Sequence, residues 1–226
     1  MKNTHAGVIF RTVIGMLVIV LLVLGYTLIL QKIYNNSALD ASVARNKQCA
    51  DAIHKLMSDK FTREDFDSIS SVEDIGLPRY KKLQKQLNEL RSLKSTRYLY
   101  TAGKTDDGKL IYLVDGLDPD ADDYAYPGTF IEKEMVTYIE QALSGKVVYS
   151  HKIVDTTWGH IFTACYPVEA PDGTGDIIGA LCMEMDMEST YAYMEAGNHR
   201  AFMISIIAII VFAILADIVY ISVSYT

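Results

Sequence analysis

The stretch RYLYTAGKTDDGKLIYLVDG, residues 97–116, contains two apolar runs on either side of the turn residues Asp106-Asp107-Gly108. This pattern predicts a β-hairpin. Both faces of the predicted hairpin are apolar. In the register of an Asp107-Gly108 turn, Leu99, Leu110, Tyr112 and Val114 point to one side, and Tyr98, Tyr100, Ile111, Leu113 and Asp115 point to the other. A strand pair of this kind has to be covered on both sides.

The segments before the hairpin predict helices that cover one of its faces. Residues 31–60 carry apolar residues at mostly three-, four- and seven-residue steps, with no proline or glycine to end a helix. Pro78 stands at the favoured first position of a second helix. We therefore expect a long helix and a shorter one on the same side of the sheet.

The segments after the hairpin predict the other cover and the rest of the sheet. A loop at 116–128 leads to a helix with Thr129 and Glu132 in capping-box positions. Three further strands are predicted at 147–154, 160–168 and 177–187, followed by a helix at 188–200. The order predicts an α+β fold of PAS-like plan: a five-stranded antiparallel sheet with a long N-terminal helix, flanked by two transmembrane helices.

Two long apolar segments lie outside this region. Residues 12–30 carry no charge and residues 201–223 carry only Asp217. Each is close to the roughly 20 residues that a helix needs to cross a bilayer. The first is too long for a cleavable signal peptide and has no cleavage site directly after it. Lys2 and Arg11 precede it, which favours a cytoplasmic N-terminus.

The apolar segments predict the domain organisation. We expect a cytoplasmic N-terminus at 1–11, transmembrane helices at 12–30 and 201–223, an extracytoplasmic domain at 31–200, and a cytoplasmic stub at 224–226. The protein is thus predicted to be a membrane protein with two spans, with its folded domain outside the cytoplasm and no output domain within the chain.

Charge and motif content exclude several classes of function. The formal net charge of −7 at pH 7 disfavours nucleic acid as a partner. The sequence contains no H-E-x-x-H, G-x-S-x-G or C-x-x-C motif and no phosphate-binding glycine-rich loop. We therefore expect a protein that is not an enzyme and that holds no cofactor.

Two features leave alternatives open. Asp115, Asp118, Asp120, Asp122 and Asp123 form an acidic loop that is either solvated or a site for a hard cation, although the EF-hand pattern is not met. A turn centred on Gly173-Thr174 places Cys165 directly opposite Cys182, so these residues are either two buried thiols or a disulfide.

A series of short motifs resembles one protein family. They are Tyr98-Leu99-Tyr100-Thr101, Asp107-Gly108-Lys109, Ile111-Tyr112-Leu113-Val114-Asp115-Gly116, Asp123-Tyr124, Tyr126-Pro127-Gly128, Asp155-Thr156-Thr157-Trp158-Gly159 and Tyr166-Pro167-Val168. In this order and spacing they resemble the Cache (PAS-like) extracytoplasmic sensor domains of bacterial membrane receptors, most of all the kind found ahead of diguanylate cyclase domains. The resemblance covers residues 31–200.

The resemblance implies a ligand-sensing module of a signal-transduction receptor in the bacterial cell membrane. Ligand binding would be transmitted through both transmembrane helices to an output domain, such as a diguanylate cyclase or a kinase, that is absent from this chain. Because such coupling most readily acts between two protomers, we expect a parallel homodimer along the helix at 31–60. The alternative is a membrane-tethered protein-interaction module without a small-molecule pocket.

The resemblance also implies a ligand between the sheet and its covering loop. A loop as long as 116–128 is usually functional in a compact domain. The candidate ligand-binding residues are Tyr98, Tyr100, Tyr112, Asp115, Tyr124, Tyr126, Trp158 and His160. A carboxylate among tyrosines suits an amine or amino-acid ligand through charge pairing and cation–π contact, although a neutral ligand is not excluded.

Overall fold

The computed structural model describes residues 2–94 and 96–224. Within them the chain forms α-helices α1 (Lys2–Met57), α2 (Glu64–Asp67), α3 (Pro78–Lys94), α4 (Lys133–Leu143) and α5 (Glu188–Ser224), and β-strands β1 (Tyr98–Lys104), β2 (Leu110–Asp115), β3 (Val148–Tyr149), β4 (Val154–Thr156), β5 (Gly159–Glu169) and β6 (Ile177–Asp186). Residues 225 and 226 of the predicted stub lie outside the described part of the chain.

The chain divides into two compact units. One combines the chain up to Ala38 with the chain from Thr190 onward, and it consists of parts of α1 and α5. The other, Leu39–Ser189, contains the whole sheet. The helices α1 and α5 are long and apolar enough to cross a membrane.

The sheet is antiparallel, in the order β2-β1-β6-β5-β3, and β4 also pairs with β5. The predicted PAS-like α+β plan is confirmed, with six strands instead of five. The predicted strand at 147–154 is divided because Ser150 interrupts the ladder after β3. Its hydroxyl accepts the backbone N–H of Thr163 at 3.0 Å, where a backbone carbonyl would otherwise continue the strand.

The hairpin of β1 and β2 closes through a five-residue loop, not a two-residue turn, so that Lys104 pairs with Leu110. Thr105 is the physical cause, because its hydroxyl accepts the backbone N–H of Lys109 at 3.1 Å and closes the longer loop. The register is thereby moved by one residue, which moves every side chain of that part of β2 to the opposite face.

The predicted faces of four β2 residues are therefore wrong. Leu110 and Tyr112 lie on the face of Tyr98 and Tyr100, whereas Ile111 and Leu113 pack on the other face with Leu99. A bulge between Thr101 and Ala102 then restores the predicted pairing of Tyr100 with Asp115.

Both faces of the sheet are covered, as predicted. On one face, Leu99 and Met183 belong to a buried cluster with Ile53 of α1 and Leu87 of α3. On the other face, the tyrosines of the hairpin pack with α4 and with the segment between β2 and α4. The helix α1 is also tied to the far edge of the sheet, because Asp51 Oδ1 accepts the hydroxyls of Tyr149 (2.6 Å) and Tyr166 (2.7 Å).

The two cysteines of the last hairpin have the predicted register. Cys165 of β5 lies directly opposite Cys182 of β6. Both side chains are buried, and both are free thiols in this structure.

Gly116 fixes the point at which the chain leaves β2. Its backbone N–H donates to the Leu99 carbonyl at 2.9 Å, and its own carbonyl accepts hydrogen bonds from Asn88 (2.9 Å) and Arg91 (3.1 Å) of α3. A Cβ atom at this position would lie 2.7 Å from the Leu99 carbonyl oxygen and 3.0 Å from the backbone of Leu87. The chain passes so close to its neighbours here that only glycine fits.

We expect Gly116→Ala to destabilise the fold by about 1–3 kcal/mol, the usual cost of forcing extra volume into a packed site. Thermal unfolding of the full chain in detergent should show a melting temperature several degrees lower. Gly76→Ala is the matched control, because no atom lies within 4 Å of a Cβ at that position. Equal melting temperatures for the two variants would contradict the close approach at Gly116.

Candidate functional site

A small cavity lies on the tyrosine face of the sheet, with a volume of about 30 Å³. Its floor is formed by the hairpin β1–β2 and by β6, and its cover by the segment that follows β2 and by the start of α4. The lining residues are Tyr98, Tyr100, Tyr112, Asp115, Asp123, Ala125, Glu132, Glu134, Met135, Thr156, Thr157, Trp158 and Glu184. Such a volume holds about one water molecule or the head group of a larger molecule.

Five of the eight predicted site residues line this cavity: Tyr98, Tyr100, Tyr112, Asp115 and Trp158. The other three do not. Tyr124 is buried and its hydroxyl is hydrogen-bonded to that of Tyr80 on α3, while Tyr126 is 45% exposed and packs against the ring of Tyr124. His160 is the second residue of β5 and interacts with Glu188, with its Nδ1 at 3.1 Å from Glu188 Oε1.

Sequence reasoning missed most of the carboxylates around the cavity. Asp123 was predicted only as part of an acidic loop, and Glu132 only as a helix cap. Glu184 could have been predicted from the sequence, because it is the single charged residue in the run Leu181-Cys182-Met183-Glu184-Met185. An acid in the middle of an apolar strand has to be buried or paired.

Three tyrosine–carboxylate pairs surround the cavity. Tyr98 donates its hydroxyl hydrogen to Asp123 Oδ2 (2.7 Å), Tyr100 to Glu184 Oε1 (2.9 Å) and Tyr112 to Glu132 Oε2 (2.6 Å). The Tyr100 and Tyr112 rings are 4.7 Å apart between centres. Burial is the main cause that raises the pKa of each of these phenols, to about 12 for Tyr98, so all three remain hydrogen-bond donors at neutral pH.

Glu132 does not cap α4. The helix begins at Lys133, and the side chain of Glu132, which precedes it, makes no capping hydrogen bond. The predicted capping box of Thr129 and Glu132 is therefore wrong. The Glu132 carboxylate instead accepts the Tyr112 hydroxyl, which joins the start of α4 to the sheet.

Asp115 holds the covering segment in place. Its carboxylate accepts the backbone N–H of Leu117 at Oδ1 (3.0 Å) and that of Ala125 at Oδ2 (2.9 Å). Both oxygens therefore fix the two ends of the loop, which gives this predicted ligand contact a structural role. Burial raises the pKa of Asp115 to about 6, against the opposing effect of the two N–H donors.

Glu184 of β6 is a second deeply buried acid of the lining, with 4% of its surface exposed. Burial raises its pKa from the ordinary value of 4.5 to about 7, the Tyr100 hydrogen bond lowers it, and the nearby charges of Glu132 and Asp115 raise it further. This carboxyl group is thus poised to exchange its proton near neutral pH.

The acidic side chains of the lining are not arranged as a metal site. Among the described residues, no group of three or more histidine, cysteine, aspartate or glutamate side chains is arranged to hold a metal ion. Within the acidic loop, Asp123 accepts the Tyr98 hydroxyl and Asp115 accepts two backbone N–H groups, so these two carboxylates are already engaged by the protein.

The raised pKa of Glu184 predicts that stability falls as the pH rises. A carboxyl group whose pKa is higher in the folded than in the unfolded state stabilises the fold fully below pH 4.5, and this stabilisation is lost as the pH rises through about 7. Between pH 4.5 and 8, wild type should lose about 3 kcal/mol relative to Glu184→Gln, which cannot ionise.

Melting temperatures of the full chain in detergent at pH 5 and pH 8 measure this difference. Glu169→Gln, at the exposed end of β5, is the control and should follow the wild-type profile. Parallel pH profiles for wild type and Glu184→Gln would contradict the burial of an ionisable Glu184.

No family model matches the sequence, and no curated protein shows significant similarity to it. Similar solved structures include the ligand-binding domain of the Campylobacter jejuni chemoreceptor Tlp3 in complex with L-valine (14% identity, TM-score 0.46), the sensor domain of the V. cholerae histidine kinase DctB (13%, 0.42) and the E. coli DcuS sensor domain (10%, 0.41). These matches cover 76%, 70% and 72% of this chain, and 63%, 59% and 98% of the other chains. The chain thus spans less than two thirds of the length of the Tlp3 and DctB chains. All three of these structures are sensor or ligand-binding domains of bacterial proteins, and their identity to this chain is low.

Proposed function

We propose that this chain is the ligand-sensing module of a bacterial membrane receptor, with its sheet-containing domain outside the cytoplasm. The observation that carries the proposal is the cavity between the sheet and its covering segment. Tyrosine–carboxylate pairs line it, and it is closed by a loop that Asp115 holds at Leu117 and Ala125. A site of this kind binds a small molecule, an amine or an amino acid, when the covering segment moves away.

The membrane part of the proposal rests on α1 and α5. Large apolar side chains of both helices are exposed over the segments 12–30 and 201–223, so a lipid environment would cover them. Where the apolar segments end, Gln31 donates to Asn35 at 2.8 Å and Asn35 to Asn198 of α5 at 2.9 Å. Residues 1–11 and 224–226 are then cytoplasmic, and residues 31–200 are extracytoplasmic.

Signal transmission is supported by how the site is connected to the helices. Glu184 lies two residues before the end of β6, and α5 begins at Glu188, whose backbone N–H donates to Asp186 at 2.9 Å. A change at Glu184 therefore acts on the strand that continues into α5. The helix α1 is joined to β3 and β5 through Asp51. Ligand binding shifts the balance between two arrangements of these elements.

A small-molecule screen with a cavity-filling variant tests the sensing function. The Ala125 side chain lines the cavity, and a phenylalanine ring there exceeds the volume of about 30 Å³. At 100 times its Kd, a ligand should stabilise the wild-type chain by about 2.7 kcal/mol, or several degrees in melting temperature. We expect amines or amino acids to give this shift in wild type and to lose it in Ala125→Phe.

The matched control for the screen is Asp106→Phe, which adds the same ring at an exposed position of the hairpin loop. It should keep the ligand-induced shift. A screen of amines, amino acids and dicarboxylates in which no compound stabilises the wild type, or in which Ala125→Phe responds equally, would rule out the cavity as a sensing site and favour an interaction module.

A single cysteine on α1 tests the location and the expected homodimer together. Gln48 is exposed on α1. In a Cys49→Ser background, Gln48→Cys in spheroplasts should react with a membrane-impermeant maleimide and form symmetric dimers with an impermeant bis-maleimide. Ile53→Cys, at a fully buried position, is the control that should do neither. Labelling without dimers would contradict the parallel dimer, and absence of labelling would contradict the extracytoplasmic location.

A further inference from the structure

Glu184 has one carboxylate oxygen that the protein leaves available to the cavity. Its Oε1 accepts the Tyr100 hydroxyl at 2.9 Å, while none of the described groups donates a hydrogen bond to Oε2. The side chain is 96% buried, as its exposed fraction of 4% implies, and it forms part of the cavity wall. Among the described side chains only Thr96 Oγ1 is both fully buried and without a hydrogen-bond partner, so Glu184 Oε2 stays accessible and can accept a hydrogen bond from a ligand in the cavity.

The other deep carboxylate is fully used by the fold. Both oxygens of Asp115 accept backbone N–H groups of the covering segment. It therefore contributes negative charge to the cavity but no free acceptor in its present arrangement. Asp115 and Glu184 thus differ in role although both belong to the same cavity wall.

The charge around the cavity is not balanced. Five carboxylate side chains line it, those of Asp115, Asp123, Glu132, Glu134 and Glu184, and none of the described lining residues is a lysine, an arginine or a histidine. Two arginines outside the lining contact groups in it or next to it. Arg97 donates its Nε hydrogen to the Tyr98 hydroxyl at 3.2 Å, and Arg91 donates to the Gly116 carbonyl at 3.1 Å.

We propose that the cavity binds the ammonium group of a small organic amine that carries no carboxylate, with Glu184 Oε2 as its acceptor. This inference rests on the proposed sensing function and narrows its ligand. A zwitterionic amino acid would bring a carboxylate against five like charges with no cation in the lining to receive it. The faces of Tyr100 and Tyr112 stabilise the ammonium group from the sheet side.

Binding of the ammonium group releases, on average, a fraction of a proton from the Glu184 carboxyl group. Glu184 faces Tyr100 of β1, Asp115 of β2 and Glu132 before α4, and the charge of Arg97 also acts on it. Near pH 7 this carboxyl group is partly protonated, and the incoming ammonium group displaces the proton into solvent. Amine affinity therefore increases from pH 6 to pH 8, while the amine itself remains protonated.

Matched pairs of amines and amino acids test the proposal on the full chain in detergent. The probes are ethylamine and alanine, isobutylamine and valine, and phenethylamine and phenylalanine, measured by titration calorimetry at pH 7. At least one amine should bind 10-fold or more tightly than its amino-acid partner. Glu184→Gln should weaken that amine at least 30-fold, and Glu169→Gln should leave its affinity unchanged.

The proton exchange gives an independent measurement. Titrations in phosphate and in HEPES should differ in observed enthalpy for wild type, because the released proton is taken up by buffers of different ionisation enthalpy. Titrations of Glu184→Asp, which keeps a carboxylate, should retain this difference if the variant binds within 10-fold of wild type. The melting temperature of Glu184→Gln at pH 5 shows whether this variant is folded.

Three outcomes would overturn the proposal. If an amino acid or a dicarboxylate binds, Ala125→Phe abolishes that binding and no amine binds, the sensing function stands and the ligand class is wrong. If an amine binds equally well to Glu184→Gln and wild type, Glu184 is not the acceptor. If no probe binds at all, and the wider screen also finds no stabilising compound, the sensing function fails together with the ligand class.

Discussion

A sheet that is apolar on both faces needs two covers, and the rest of this structure follows from that constraint. The helices α1 and α3 supply the first cover, whose buried cluster with the sheet consists of apolar and aromatic side chains. The second cover is thinner, because α4 has only 11 residues and the rest is the segment that leaves β2 at Gly116. Tyrosines face this second cover, so their hydroxyls are buried with them and require acceptors. The carboxylates of Asp123, Glu132 and Glu184 are those acceptors.

The pairing of tyrosine hydroxyls with carboxylates also places several negative charges around the cavity. Each carboxylate is acceptable in the interior because a phenol donates to it, yet no positive charge lines the cavity to neutralise the group. Burial then raises the pKa values of Asp115 and Glu184 towards neutrality. A polar network with unbalanced charge is costly for stability, and such a cost is often found where a protein binds or reacts.

The sequence predicted the parts of the fold that depend on local pattern. The apolar alternation around Tyr98 and Tyr100, the turn that pairs Cys165 with Cys182, and the long helix before the sheet are all local features. The register of β2 was not predictable from alternation, because the Thr105 hydroxyl lengthens the loop and a bulge at Thr101 compensates for it further along. The direction of Tyr124 towards α3 depends on a partner 44 residues away in the sequence, Tyr80, and sequence pattern does not report such contacts.

The alternation of side chains along β6 has a consequence for how the protein can diverge. Leu181, Met183 and Met185 pack in the cluster under α1 and α3, while Ala180, Cys182 and Glu184 face the other side. Of these three, only Glu184 lines the cavity, so a substitution there changes the chemistry of the cavity and leaves the packing of the cluster under α1 and α3 intact. If the proposed function holds, mutation of the single codon at position 184 changes the ligand preference without requiring compensating changes in the core.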